Sequence, residues 1–225
     1  MEKTIFISGI DTDAGKSIIT GLMAKFLMNK GVNIITQKFI QTGNIDVSED
    51  IQKHREIMGI DLLQDDIDRT TCPYIFTYPC SPHLAAEIDN KPIDTNIIRN
   101  CTKKLEAKYE KVLLEGAGGL FVPISREYNT IDYVQDNNLP LILVTSSKLG
   151  SINHTLMSIE LCKARGINLV GMVYNAFPND SEKIFKDSST IFQHYLDKYY
   201  PNCKLASVPI VDENDYPIID FSDIL

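Results

Sequence analysis

The stretch Gly9-Ile10-Asp11-Thr12-Asp13-Ala14-Gly15-Lys16-Ser17 directly follows the apolar run Ile5-Phe6-Ile7. A buried strand thus runs into a glycine-bearing turn, and the turn empties into a helix that opens with Lys and Ser. Free N–H groups at a helix start, together with the positive end of its dipole, cradle an anion. Lys16 adds a mobile charge suited to β- and γ-phosphates, and the Ser17 hydroxyl suits Mg2+. Beyond it, Ile18, Ile19, Leu22, Met23, Phe26 and Leu27 recur at helical spacing. The usual phosphate-loop pattern has glycine at the place of Ile10; here the first glycine is Gly9, so the loop is one residue longer. The competing reading is an ordinary strand–turn–helix joint.

With 225 residues, 44% of them apolar and 23% charged, the chain is long enough for one α/β domain with a full core. A net charge of −8 argues against a nucleic-acid footprint or an anionic-membrane surface. It leaves room for a local basic site at Lys16 and Lys38. No apolar run is long enough to span a bilayer, and Met1-Glu2-Lys3-Thr4 lacks a secretory n-region. A cytoplasmic protein is expected. The cysteines, at 72, 80, 101, 162 and 203, are odd in number and form no C-x-x-C pair. They read as small, mostly buried side chains rather than disulfides or zinc ligands.

Short apolar runs alternate with helical patterns. Strands are expected at Ile5–Ser8, Val32–Gln37, Val112–Glu115, Leu141–Thr145, Val170–Tyr174 and Leu205–Val208. Helices are expected at Ser17–Asn29, Glu49–Met58, Pro82–Asp89, Asp94–Tyr109, Ile131–Asn137, Ile152–Arg165 and Ser181–Tyr199. Unbroken apolar strands suit a parallel sheet covered on both faces. The alternation predicts right-handed βαβ units: one domain, residues 1–225, of the phosphate-loop NTPase type, with helices on both faces of a mostly parallel central sheet. Pro209–Leu225 reads as an acidic, loop-like tail.

Ligands of such sheets sit beyond the carboxyl ends of the strands. Besides the phosphate loop, three segments satisfy that rule. Lys38-Phe39-Ile40-Gln41-Thr42-Gly43 follows the second strand; its lysine is either a strand-end residue reaching for solvent or a second cation aimed at phosphate. Glu115-Gly116-Ala117-Gly118-Gly119 ends the third. Its carboxylate stands where phosphate-loop enzymes hold Mg2+, and its small residues let backbone approach a ligand; a plain tight turn is the alternative. Lys148 to His154 follows the fourth and enters a helix start. Ser81-Pro82-His83 reads as a helix N-cap. Asn175, in Tyr174-Asn175-Ala176, has an amide that can pair with a base edge. His54 and His194 read as exposed helix residues, and no group has metal-cage spacing.

Together these segments resemble the dethiobiotin synthetase family. That family's G-T-D-T-x-V-G-K-T, K-P-x-x-[ST]-G, S-P-H, E-G-A-G-G and L-G-x-I-N-H motifs find their counterparts at Gly9–Ser17, Lys38–Gly43, Ser81–His83, Glu115–Gly119 and Leu149–His154. The resemblance implies an enzyme that joins CO2 to 7,8-diaminopelargonate with MgATP, through a carbamate and a carbamic-phosphoric anhydride, to give the cyclic urea dethiobiotin. It implies catalytic roles for Lys16 and Lys38. It implies a nucleotide site of Asp13, Ala14, Gly15, Lys16, Ser17, Ile18, Asp50, Glu115, Gly116, Ala117, Gly118, Asn175, Ala176, Ser207, Val208, Pro209 and Glu213. Substrate would meet Thr12, Lys38, Thr42, Ser81, Gly118, Gly150, Ser151 and Asn153. Mg2+ would be held by Ser17, Glu115 and Asp50, with Asp46 the rival for the last place. A homodimer is implied, because in the family the helix end at Gly150–Asn153 completes the neighbouring subunit's substrate site. Phe39 stands where the family has Pro, and Phe177–Lys186 has no clear counterpart.

The runner-up is a nucleotide switch of the partitioning ATPase class, which shares the fold. Those proteins carry a second lysine early in the loop, where this chain has Asp11. An amidotransferase synthetase half would need a glutaminase domain that the chain is too short to hold, and a non-catalytic scaffold would have no use for both lysines and Glu115.

Overall fold

The computed structural model describes residues 3–178, 181–212 and 214–225. Among the described residues eight strands are formed: β1 (Thr4–Gly9), β2 (Ile34–Lys38), β3 (Gln41–Thr42), β4 (Ile75–Phe76), β5 (Lys111–Gly119), β6 (Leu141–Ser146), β7 (Leu169–Asn175) and β8 (Lys204–Val208). The helices are α1 (Lys16–Asn29), α2 (Glu49–Met58), α3 (Gln64–Ile67), α4 (Pro82–Ile88), α5 (Thr95–Lys108), α6 (Thr130–Asp136), α7 (Ser151–Ala164) and α8 (Glu182–Tyr199). All six expected strands and all seven expected helices are present. The pair β3–β4 and the short α3 were not anticipated, because elements this brief carry no measurable periodicity.

Six strands form one parallel sheet in the order β2-β5-β1-β6-β7-β8. Its central strands are apolar and buried along their length, as a sheet covered on both sides requires. The alternation along β7 shows the two layers. A side chain at Gly171 would strike Ile224 of the C-terminal tail, whereas Tyr174 stacks on Phe185 and meets Phe192 edge-on, both from α8. Phe221 of the same tail packs edge-on against Phe26 of α1 at 6.0 Å. The tail thus lies as irregular chain against the α1 side of the sheet.

The order of strands places β1 beside β5, and β5 beside β2. The phosphate loop after β1, the lysine that ends β2 and the glutamate within β5 are therefore neighbours, although they are far apart in sequence. Where the sequence reading ends the strand at Glu115, β5 continues to Gly119, with a shift of register against β1 between Ile7 and Gly9. A Cβ at Gly116 would come within 2.9 Å of the Phe6 ring. That glycine is needed for strand packing.

Candidate active site

The site starts from the end of β2. Lys38 is buried, and its Nζ lies 2.5 Å from Asp50 Oδ2 and 2.7 Å from Glu115 Oε1. It also donates to the Gly116 carbonyl at 3.1 Å. Phe39, at the family's Pro position, is fully buried against Phe6 (5.7 Å between ring centres) and Tyr133 (4.7 Å). Its backbone N–H donates to the Glu115 carbonyl at 2.8 Å, a bond that proline cannot make. The substitution ties the Lys38 segment to β5.

Asp50 comes from the first turn of α2, which is docked by polar contacts. Ser48 caps it by accepting from the Ile51 N–H and donates to Gln41 Oε1 at 2.6 Å. Arg55 grips Asp66 of α3 through two bonds, at 2.9 and 2.8 Å, and donates to Thr36 Oγ1 of β2 at 2.7 Å. A bidentate pair of this kind fixes orientation as well as position. The side chain of Asp50 thereby faces β2 and β5, whereas the rival Asp46 is exposed and outside the cleft.

Ser17 completes the cluster. Its hydroxyl lies 2.7 Å from Asp50 Oδ1 and 3.0 Å from Glu115 Oε1. Two carboxylates and a hydroxyl around a single cation are the hard-oxygen set that suits Mg2+, so the residues present fit that ion. Lys16 is also buried; its Nζ bonds the loop carbonyls of Asp11 (2.8 Å) and Thr12 (3.2 Å).

The electrostatics follow from burial. Burial, and then the neighbouring Lys38 ammonium, lower the Lys16 pKa from 10.5 to about 8. Burial opposes charge on Lys38 as well, but Glu115 and Asp50 outweigh it and hold its pKa above the ordinary lysine value. Burial likewise works against an ionised Glu115, and is overcome by Lys38 and His54, so its pKa lies below the usual carboxylate range. Opposed charges in a dry pocket stabilise each other far more than in water.

His54 is the correction to the sequence reading. It was expected on the exposed face of α2; it is fully buried, and its Nε2 lies 2.7 Å from Glu115 Oε2. The signal was present in the sequence: His54 is four residues after Asp50, so one helix face carries both. His194 is exposed, as expected.

Lys16, Ser17, Lys38, Thr42, Asp50 and Glu115 line one cleft of about 550 Å3, together with Thr12, Ser81, Ala117 and Gly118. Ser81 occupies the N-cap position of α4, but its side chain makes no capping bond. An adjoining groove of about 380 Å3 is lined by Asp13, Gly15, Ile18, Asn175, Phe177, Ile210 and Val211. The Gly15 backbone is left-handed (φ 87°), and a Cβ there would run into the Asn175 amide. That amide donates to the Ala14 carbonyl (3.2 Å) and accepts from the Phe177 N–H (3.1 Å), so it clamps the phosphate loop to the end of β7. Ala176 bonds the Val208 carbonyl at 2.9 Å. Ser207 and Pro209 are exposed and line neither cavity; Glu213 lies outside the described residues. Sequence reasoning missed Phe177, Ile210 and Val211, which belong to no recognised motif. Gly150, Ser151 and Asn153 open α7 away from the cleft, with Ser151 bonded to Ser146 at 3.0 Å. Among the described residues all five cysteines are free thiols, three of them buried.

A family model described as an AAA domain matches residues 3–213. The ATP-dependent dethiobiotin synthetase BioD 2 of Haemophilus ducreyi is 52% identical over 202 residues, 90% of this chain and 96% of its own. That of Haemophilus influenzae is 54% identical over 191 residues, 85% of this chain and 100% of its own. The ATP-dependent dethiobiotin synthetase BioD of Chlorobaculum tepidum is 46% identical over 212 residues, 94% of this chain and 87% of its own. A solved ParA family ATPase from Chlorobium tepidum superposes with a TM-score of 0.54, covering 94% of this chain and 87% of that one at 14% identity. That likeness shows the shared phosphate-loop fold alone, so the partitioning reading is a distant structural relation. Identities of about one half over nearly the whole chain, with the cleft described above, give the conclusion: the chain belongs to the ATP-dependent dethiobiotin synthetase family.

Proposed function

We propose that this protein converts 7,8-diaminopelargonate, CO2 and ATP into dethiobiotin, ADP and phosphate, a cyclising ligase step that forms C–N bonds. One observation carries the residue assignment: Lys16, Lys38, Ser17, Asp50 and Glu115 line one cleft, where the loop after β1, the end of β2, the start of α2 and β5 meet. The reaction brings a carbamate against a triphosphate, and preorganised cations are the natural catalysts for such a meeting of negative charge.

An amine of the substrate attacks CO2, loses a proton and becomes a carbamate. Lys38 holds the carbamate and the γ-phosphate together. Lys16 and the N–H groups of Asp13 to Ser17 hold the phosphates in line. The carbamate oxygen attacks phosphorus, and the bond to ADP breaks. The second amine then attacks the carbonyl carbon, phosphate leaves with the C–O bond electrons as the ring closes, and the amine's proton passes to the departing phosphate or to solvent. Ser17, Asp50 and Glu115 would hold Mg2+, which supplies charge neutralisation at the phosphates. Thr12, Thr42, Ser81 and Gly118 border the substrate. The groove beside Asn175 takes the adenine, between Phe177 and Ile210.

We assign residues 1–225 to one synthetase domain acting in the cytoplasm, in keeping with five thiols left free. It acts as a homodimer in which Gly150, Ser151 and Asn153 receive the substrate carboxylate bound in the partner. Support comes from an apolar groove of about 580 Å3 lined by Phe121 and Met157, whose side chains are exposed at 59% and 63%. Contiguous exposed apolar surface of this kind marks an interface. The test is to mix protein, diaminopelargonate, bicarbonate and MgATP and to look for dethiobiotin by mass spectrometry. Phosphate release is expected only with all components; ATP hydrolysis without the diamine would point to a switch ATPase.

A further inference from the structure

The cluster contains an imidazole that the proposed chemistry does not use. His54 is fully buried. Its Nε2 lies 2.7 Å from Glu115 Oε2. Carboxylate oxygens only accept, so the proton of this bond is on the ring and Nε2–H donates. Nδ1 is buried and has no hydrogen-bond partner among the described residues, so the ring makes a single polar contact, and that contact is to Glu115. The other oxygen of Glu115, Oε1, faces Lys38 Nζ and Ser17 Oγ. The two oxygens of one carboxylate are therefore divided: one is held by α2, the other is presented to the cation site.

His54 lies four residues beyond Asp50, which reaches the same cluster from the same helix face. Asp50 contacts Lys38 and Ser17, and His54 contacts Glu115. One rigid helix, docked through Arg55, thus sets both carboxylates.

We propose that His54 is a positioning residue for Glu115, orienting the carboxylate so that Oε1, with Asp50 and Ser17, forms the oxygen set that holds the divalent cation of the nucleotide complex. The inference rests on the assignment of Glu115 to Mg2+ under the proposed function. Partners that orient metal-binding side chains typically change metal affinity by about 10- to 100-fold when removed. His54 lines neither the cleft nor the adjoining groove, so it acts through Glu115.

The test compares His54→Gln, whose amide N–H can replace the Nε2–H donor, with His54→Met, similar in length but without a donor. Mn2+ serves as the probe, with free Mn2+ counted by electron paramagnetic resonance in the presence of protein and ADP. ADP binding in EDTA is measured in parallel by calorimetry. The expected result is Mn2+ retention about tenfold weaker or worse in His54→Met, within about threefold of wild type in His54→Gln, and metal-free ADP binding alike in all three. Unchanged Mn2+ retention in His54→Met overturns the proposal. So does an equal loss in both variants, or a loss matched by the loss of metal-free ADP binding, because either means a structural role only. If His54→Met does not fold, His54→Asn, whose amide falls short of Glu115, takes its place under the same criteria. Dethiobiotin formation by the wild type is scored separately, so a failed synthetase reading and a failed His54 reading give different patterns.

Discussion

Lys38 Nζ donates to Glu115 Oε1 at 2.7 Å, joining the end of β2 to a carboxylate with no solvent exposure. The pair is a structural object, and under the proposed function also a catalytic one. Asp50 also holds Lys38, His54 and Ser17 also hold Glu115, and Lys38 and Glu115 both line the cleft.

Replacing Lys38 by Met should reduce turnover by at least about 100-fold while ATP still binds, the usual cost of losing one preorganised electrostatic contact. It should also destabilise the fold by about 3 kcal/mol, because Glu115 and Asp50 lose the buried cation they share. Adding Glu115→Gln should restore much of the stability and none of the activity. Denaturant unfolding and steady-state phosphate release separate the two effects; substantial turnover by Lys38→Met would refute the catalytic role.

Lys16 gives a pH signature. Its pKa of about 8 is depressed from 10.5, so the free protein loses this proton above pH 8 while the unfolded chain keeps it to about 10.5. The sign is that the penalty of a charged Lys16 is present below pH 8 and is relieved as pH rises from 8 to 10.5, adding stability in that window at up to about 1.4 kcal/mol per pH unit. Bound phosphates favour the charged form. Nucleotide binding near pH 9 should therefore take up close to one proton, and affinity should fall as pH rises above 8. Calorimetry in buffers of different ionisation heat measures the uptake, which Lys16→Arg should abolish.

Asn175 bridges the phosphate loop and the end of β7 through its bonds to Ala14 and Phe177. Loss of these bonds in Asn175→Ala should weaken ATP binding about tenfold, equivalent to ~1.4 kcal/mol. It should also erode any preference for ATP over GTP. Wild-type turnover that is equal with the two nucleotides would count against an adenine-reading role.

Met157→Glu places a charge at the edge of the groove shared with Phe121. Light scattering should show a dimer for the wild type and a monomer for the variant. KM for diaminopelargonate should rise in the monomer, with ATP binding in the absence of diamine unchanged. A wild-type protein that is monomeric at assay concentration would remove the shared-site assignment.

The pH limits of the Lys38–Glu115 pair bracket neutrality. Glu115 has a depressed pKa, so its contribution is present above its unfolded value of about 4.5 and is lost as pH falls through the folded value. Lys38 has a raised pKa, so its contribution is full below about 10.5 and is lost as pH rises through the folded value. In Lys38→Met/Glu115→Gln, unfolding measured against pH should be flatter than wild type at both ends.

What the sequence by itself determined was local. The strand Ile5–Ile7, the loop to Ser17 and the helix beyond it follow from apolar periodicity and from glycine beside Lys and Ser, and all six long strands lie where apolar runs fall. Residues at strand ends were identifiable for the same reason: each directly follows a run whose period is visible. Only the tertiary structure decided which of those ends meet. Lys38 and Glu115 are 77 residues apart, and their contact comes from the placement of β5 beside β2. The orientation of α2 put His54 inside and Asp50, not Asp46, at the cluster, through an Arg55–Asp66 grip on an α3 too short to be read. The close packing of Gly116 on Phe6 is likewise visible only in space. Periodicity fixes which side of an element is apolar; the partner that covers it is chosen by packing between segments distant in the chain, and no short window of sequence contains that choice.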